Sequence, residues 1–101
     1  MTEEQIKHQI EYLRSQKENP TGFYRQYLVN LYHLFYNGAK KNGTDWCPNV
    51  GIYTMVKAAY ANIPVDHESS YMVRKWKEDL EKLGYIKDGE WRTYILKELD
   101  F

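Results

Sequence analysis

Apolar positions along this chain fall into helical periods for most of its length and switch to strand-like alternation near the end. Ile6, Ile10 and Leu13 recur at helical spacing among charged neighbours, which predicts an amphipathic first helix from about Thr2 to Glu18 with one narrow apolar stripe. Thr2 followed three residues later by Gln5 fits a capping box, in which each side chain satisfies an orphan amide at the helix start. Asn19-Pro20-Thr21-Gly22 interrupts the period. Asn19 or Thr21 offers a cap to the next helix, and Pro20 suits a first turn. Tyr24, Tyr27, Leu28, Leu31, Leu34 and Phe35 then follow i, i+3, i+4, i+7, while Val29, Tyr32 and Tyr36 widen the apolar surface. A helix apolar on more than one side is central and touches two layers. Gly38 and the Lys40-Lys41-Asn42-Gly43 stretch mark its expected end.

A connector follows from Thr44 to Pro48, with a short strand around Trp46. A third helix is predicted from near Asn49 to about Asn62, with Ile52, Val56, Ala59 and Tyr60 on one face. The Asn62-Ile63-Pro64-Val65-Asp66 segment reads as a turn, because the residue before a proline is steered away from helical geometry. A fourth helix is expected from Asp66 or His67 to Leu83, with Val73, Trp76, Leu80 and Leu83 as its buried stripe. Asp66 and Glu68 would then complement the positive end of its dipole. Gly84 stands where a left-handed cap is needed. Tyr85 to Lys87 and Glu90 to Leu96 read as two strands joined at Asp88-Gly89, a dipeptide that supplies positive φ angles to a two-residue turn. That turn predicts a register in which Lys87 faces Glu90, Ile86 faces Trp91 and Tyr85 faces Arg92.

The predicted class is therefore mainly α with a small β-hairpin. Leu80-Glu81-Lys82-Leu83-Gly84-Tyr85-Ile86, followed by Arg92-Thr93-Tyr94-Ile95-Leu96, resembles the recognition-helix end and wing of bacterial and phage winged helix-turn-helix proteins. The resemblance covers roughly residues 44–96, names a superfamily rather than a single protein, and implies a winged helix-turn-helix preceded by two N-terminal helices. The chain departs from the pattern at Lys77, four residues after Val73, where the superfamily usually carries an apolar residue. The turn from Asn62 to Asp66 is also longer than its tightest versions.

Composition narrows the function classes. At 101 residues, with 43% hydrophobic and 28% charged residues, residues 1–101 form one globular domain, with residues 1–20 as an N-terminal helix available for dimerisation. Lys and Arg total 14, as do Asp and Glu, so the formal charge is zero, and the pI of about 6.8 argues against strong non-specific attraction to nucleic acid. A single cysteine, Cys47, excludes an internal disulfide and suits a reducing, cytoplasmic setting. The polar, acidic start of the chain is unlike a signal peptide, and no apolar run approaches the roughly 20 residues of a membrane span. His8, His33 and His67 have no ligand spacing to Cys47 or to one another, there is no phosphate-cradling glycine loop, and no enzyme, metal or cofactor is expected.

If the resemblance holds, the first half of the fourth helix enters a DNA major groove. The residues its buried stripe leaves free are Ser69, Ser70, Tyr71, Arg74, Lys75 and Lys77, suited to phosphates and base edges. Lys87 and Arg92 would contribute from the wing, although Asp88 and Glu90 at its tip oppose a phosphate clamp. The bland alternative is a solvated helix laced by Arg74–Glu78 and Lys77–Glu81 pairs. Two functions follow. One is a double-stranded DNA-binding regulator or replication-associated factor of a bacterium or mobile element such as a phage. The other is an interaction module or phage-type inhibitor that grips a protein partner, favoured by zero net charge and by the ten tyrosines. A homodimer is expected from the apolar surplus on the second helix.

Overall fold

A computed structural model describes all residues, 1–101. The elements are α1 (Glu3–Glu18), α2 (Tyr24–Asn42), β1 (Trp46–Pro48), α3 (Ile52–Ala59), α4 (Ser70–Lys82), β2 (Ile86–Asp88) and β3 (Arg92–Ile95). The fold is thus mainly helical, with a small three-stranded antiparallel sheet in the order β1-β3-β2.

The capping box at the start of α1 is formed: Gln5 N donates to Thr2 Oγ1 at 3.1 Å and Thr2 N donates to Gln5 Oε1 at 2.9 Å. Neither Asn19 nor Thr21 caps α2. Asn19 closes α1, its N–H donating to Ser15 O at 3.1 Å, and Thr21 is drawn back to Gln16, its amide and hydroxyl both donating to Oε1 at 2.8 and 2.9 Å. Helix α2 starts at Tyr24 without a side-chain cap. It also runs straight through Gly38 and ends at Gly43, which takes the left-handed φ of 72°. Gly38 serves packing instead: a Cβ there would collide with Sγ of Cys47 on β1.

The core is built around α2, whose Leu28, Leu31 and Phe35 are wholly buried. The predicted α4 stripe of Val73, Trp76, Leu80 and Leu83 is buried against it. Tyr27 of α2 stacks on Trp76 with ring centroids 4.0 Å apart, and Tyr60 meets both rings edge-on. The Tyr24 hydroxyl donates to Asp79 Oδ2 at 2.7 Å, pinning the start of α2 to α4. Helix α4 begins at Ser70, later than the acids Asp66 and Glu68 suggested. Ser69 is the cap, its hydroxyl accepting from Met72 N at 3.2 Å while its own N–H donates to the Tyr60 hydroxyl at 3.0 Å. That second bond fixes where the helix starts, and it comes from the residue that caps the end of α3. Helix α3 likewise begins at Ile52, three residues later than Asn49, and Asn30 of α2 donates to its last carbonyl, Ala59 O, at 3.0 Å.

Gly84 has φ of 88°, the left-handed cap expected. The hairpin register differs from expectation. Ile86 faces Ile95, Lys87 faces Tyr94 and Asp88 faces Thr93, so Asp88-Gly89 is not the turn. The closing bond runs from Gly89 N to Arg92 O at 2.7 Å, leaving Glu90 and Trp91 at the tip. Gly89 has no positive φ. A Cβ there would lie 3.0 Å from both Arg92 O and a Tyr94 ring carbon, close enough that these would have to give way slightly. The register is set on the other edge of β3, where β1 pairs Cys47 with Thr93 and Pro48 with Arg92.

Beyond β3 the chain folds back over α1 and α2. Leu96 N donates to Tyr85 O at 2.9 Å, and the Tyr32 hydroxyl donates to Lys97 O at 2.9 Å. Arg14 donates to Asp100 twice, to its carbonyl and its carboxylate, each at 3.0 Å, and the Tyr85 hydroxyl donates to the same carboxylate. Phe101 is buried edge-on to Tyr85. This tail, with α1, α3 and α4, covers the apolar faces of α2: none of Tyr24, Tyr27, Val29, Tyr32, Leu34 or Tyr36 is exposed. Tyr32 is buried and the other five are half-buried, so part of the apolar surplus on α2 is covered within one chain.

The tail contact carries a pH dependence. Burial pushes the Asp100 carboxyl upward, but the Tyr85 hydrogen bond and the Arg14 charge outweigh it and hold the group below its usual range. A carboxyl depressed on folding adds stability above its unfolded pKa, about 3.9, and loses it as pH falls through the folded value. Asp100→Asn is therefore expected to be less stable than the parent at pH 6, with the gap closing below about pH 4. Urea midpoints across that range check this, and a gap that stays constant down to strong acid would rule it out.

Candidate nucleic-acid interface

With Val73, Trp76, Leu80 and Leu83 turned into the core, α4 presents the opposite face to solvent. Ser70, Tyr71, Arg74 and Lys75 are all exposed there, Tyr71 at 69%. Ser69 lies at the edge of this face and is committed to the cap. The pairs that would have made α4 an ordinary solvated helix do not form: Arg74 and Lys75 join no ion pair. Lys77 does not reach Glu81 either. Its Nζ lies 3.0 Å from Asp88 Oδ1 and 5.5 Å from the centre of the Phe35 ring, while Glu81 accepts from Asp88 N at 3.1 Å. Lys77 is a strut between α4 and the hairpin, its stem on the core and its charge on Asp88. This accounts for a lysine at a position where an apolar residue was expected, and it withdraws Lys77 from the free cations.

The hairpin rearranges the remaining candidates. Lys87 is exposed on β2, whereas Arg92 is half-buried with its guanidinium 4.0 Å from the centre of the Trp46 ring. Asp88, one of the two acids that opposed a ligand-binding wing, is occupied by Lys77, leaving Glu90. Trp91 stands out at the tip, 75% exposed. Asn49 ties that tip to the approach to α3, donating from its N to Trp91 O and from its Nδ2 to Glu90 O, both at 3.2 Å. One turn further on, Tyr53 is 71% exposed with Lys57 Nζ 5.4 Å from its ring centre. Tyr53, Lys57 and Asn49 were missed as site residues in the sequence. The signal was present for Tyr53, which falls off the apolar face formed by Ile52, Val56, Ala59 and Tyr60.

Cys47 is buried and burial pushes its thiol up, opposed by the charge of Lys77, so nothing here generates a ready thiolate. No group of three or more His, Cys, Asp or Glu side chains converges as a metal ligand set. A polar cleft of about 470 Å³ between the α1–α2 turn and the end of α3 is lined by Gln16, Lys17, Arg25, Gln26, Asn30 and Asn62 among others, with no carboxylate, histidine or cysteine. No helix is long and apolar enough to cross a membrane. No protein-family model, curated protein or solved structure matches the chain.

Proposed function

We propose that the chain is a winged helix-turn-helix module that binds double-stranded DNA, with α4 as the recognition helix and the β2–β3 hairpin as the wing, in a cytoplasmic regulator or replication-associated factor. The element order α2-β1-α3-α4-β2-β3 and the strand order β1-β3-β2 support the fold reading. The observation that carries the functional one is the exposed, unpaired Arg74 and Lys75 beside Tyr71 on the outer face of α4. Cations left free of carboxylates are available to phosphates and guanine edges. Because the net charge is zero, binding depends on this patch rather than on a general basic field, and non-specific affinity is low.

Fluorescence anisotropy with duplex DNA tests the assignment. Arg74→Ala and Lys75→Ala are each expected to weaken binding, by about 1–3 kcal/mol for a residue that reads a base, and to lower the salt slope by about one for a phosphate contact. Lys77→Ala is expected to lower stability, with little change in salt slope. Absence of duplex binding at low salt would overturn the proposal. The exposed rings of Tyr53, Tyr71 and Trp91 favour a second reading, a protein partner gripped by aromatic anchors. Affinity would then follow the rings and be nearly indifferent to salt and to Arg74. A homodimer would set two α4 helices on paired half-sites, and light scattering on the free protein decides it.

A further inference from the structure

The three most exposed large apolar side chains in the molecule are Trp91 at 75%, Tyr53 at 71% and Tyr71 at 69%. Among the other Tyr, Phe and Trp rings only Tyr12 and Phe23 are exposed, each by a little under half, whereas Tyr32, Phe35, Tyr60, Trp76, Tyr85 and Phe101 are buried. These three most exposed rings belong to the hairpin, α3 and α4, and both α4 and the approach to α3 are tied to the hairpin. Trp91 is the hairpin tip, bonded through its carbonyl to Asn49, and Asn49 leads into α3 and Tyr53. The hairpin is in turn strapped to the middle of α4 by Lys77–Asp88, and Tyr71 lies in the first turn of that helix. Each ring element also brings a cation: Lys57 over Tyr53, Arg74 and Lys75 one turn from Tyr71, and Lys87 on β2 below the tip.

Resting on the DNA-binding reading above, we infer that this part of the molecule takes DNA with unpaired bases, such as a fork or melted segment beside a duplex, and that Trp91 is the ring on which an unpaired base stacks. A side-chain ring stacks only on an open base face. In a duplex those faces are covered by neighbouring base pairs and only the groove edges are presented, so inserting a ring requires unstacking a step. Unpaired bases offer their faces at no such cost, and stacking on aromatic side chains tolerates any base. It also depends little on counterion release. That fits a chain with zero net charge, which has little to gain from phosphates alone. The local cations then hold the adjoining backbone while the rings hold the bases, the alternation that single-stranded sites use. Glu90 beside Trp91 is unfavourable to a phosphate at the tip, but not to a base, which is uncharged.

The test compares three fluorescein-labelled DNAs of equal length and mixed sequence: a blunt duplex, a duplex with unpaired arms, and a single strand. The forked DNA is expected to bind about tenfold more tightly than the blunt duplex, the size of one ring's stacking contribution. Trp91→Ala is expected to remove that preference, bringing fork affinity down to about that of the blunt duplex, and Trp91→Phe to keep most of it. Trp91 sits in an exposed turn, so both variants are expected to fold, which circular dichroism verifies. Tryptophan emission of the parent is expected to be quenched by the fork and by the single strand, and that quenching to be largely lost in Trp91→Phe. If the blunt duplex binds as tightly as the fork, or Trp91→Ala leaves fork affinity intact, the inference fails while the DNA-binding reading stands. If none of the three DNAs binds, both fail, and a protein partner gripping the same rings takes their place.

Discussion

Leu80→Ala is expected to destabilise the protein by about 2–5 kcal/mol, the range for truncating a core leucine. Leu80 has no exposure and lies in the middle of the α4 stripe, between Trp76 and Leu83, in the same cluster as Phe35 and Ile86. The helix that carries it packs on α2 and β2, both held by their own hydrogen bonds, so collapse into the vacated space is incomplete and a cavity penalty adds to the lost transfer energy. Against a total of about 5–15 kcal/mol for a typical domain this is a large fraction. At about 4–8 °C per kcal/mol for a domain of this size, the melting temperature is expected to fall by roughly 10 °C or more. Thermal unfolding followed by circular dichroism measures it. A variant melting within about two degrees of the parent would contradict the packing of α4 against α2. Because the same helix carries Tyr71, Arg74 and Lys75 outward, a loosened stripe would also blur the position of the proposed contact face.

Gly38→Ala is the second large effect, and its sign runs against helix propensity. In the interior of an exposed helix this change stabilises by about 0.8–1 kcal/mol. Here the added Cβ would fall inside van der Waals contact of Cys47 Sγ and 3.3 Å from Cys47 Cβ. Cys47 is buried and belongs to β1, which is paired with β3 through Thr93, so it has little freedom to retreat. Overpacking of this kind costs about 1–3 kcal/mol, and the variant is expected to be less stable than the parent despite the better helix former. Cys47→Ala removes the sulfur and leaves a small void at a modest cost. In the double variant the new methyl enters that void, so Gly38→Ala/Cys47→Ala is expected to be more stable than Gly38→Ala alone. A double-mutant cycle of urea unfolding reads the coupling directly. Strictly additive effects would show that the helix and strand do not touch through these two side chains.

Gly38 also shows where sequence reasoning and structure part. A glycine inside a helical pattern reads as a stop, because its local cost is all that a linear chain displays. Its benefit comes from Cys47 on a strand that follows. The candidate site divides in the same way. The exposure of Tyr71, Arg74 and Lys75 followed by subtraction from the α4 stripe, and Tyr53 was open to the same logic on α3. The loss of Lys77 to Asp88 and the emergence of Trp91 at the tip depended on the hairpin register, which Asp88-Gly89 suggested wrongly.

What the sequence by itself determined was whatever rests on backbone groups and side chains within about a turn of one another. The Thr2–Gln5 box, the helical stripes, the left-handed cap at Gly84 and the mainly helical class are of this kind, since 3.6-residue periodicity and capping bonds are local. Only the tertiary structure decided the start of α4, the hairpin register and the path of the tail. The first hangs on the Tyr60 hydroxyl reaching Ser69, the second on β1 holding β3, and the third on Arg14, Tyr32 and Tyr85 gripping residues near Asp100. Each of these bonds joins positions brought together by burial of the shared core, and the free energy that selects them arises only when that core closes.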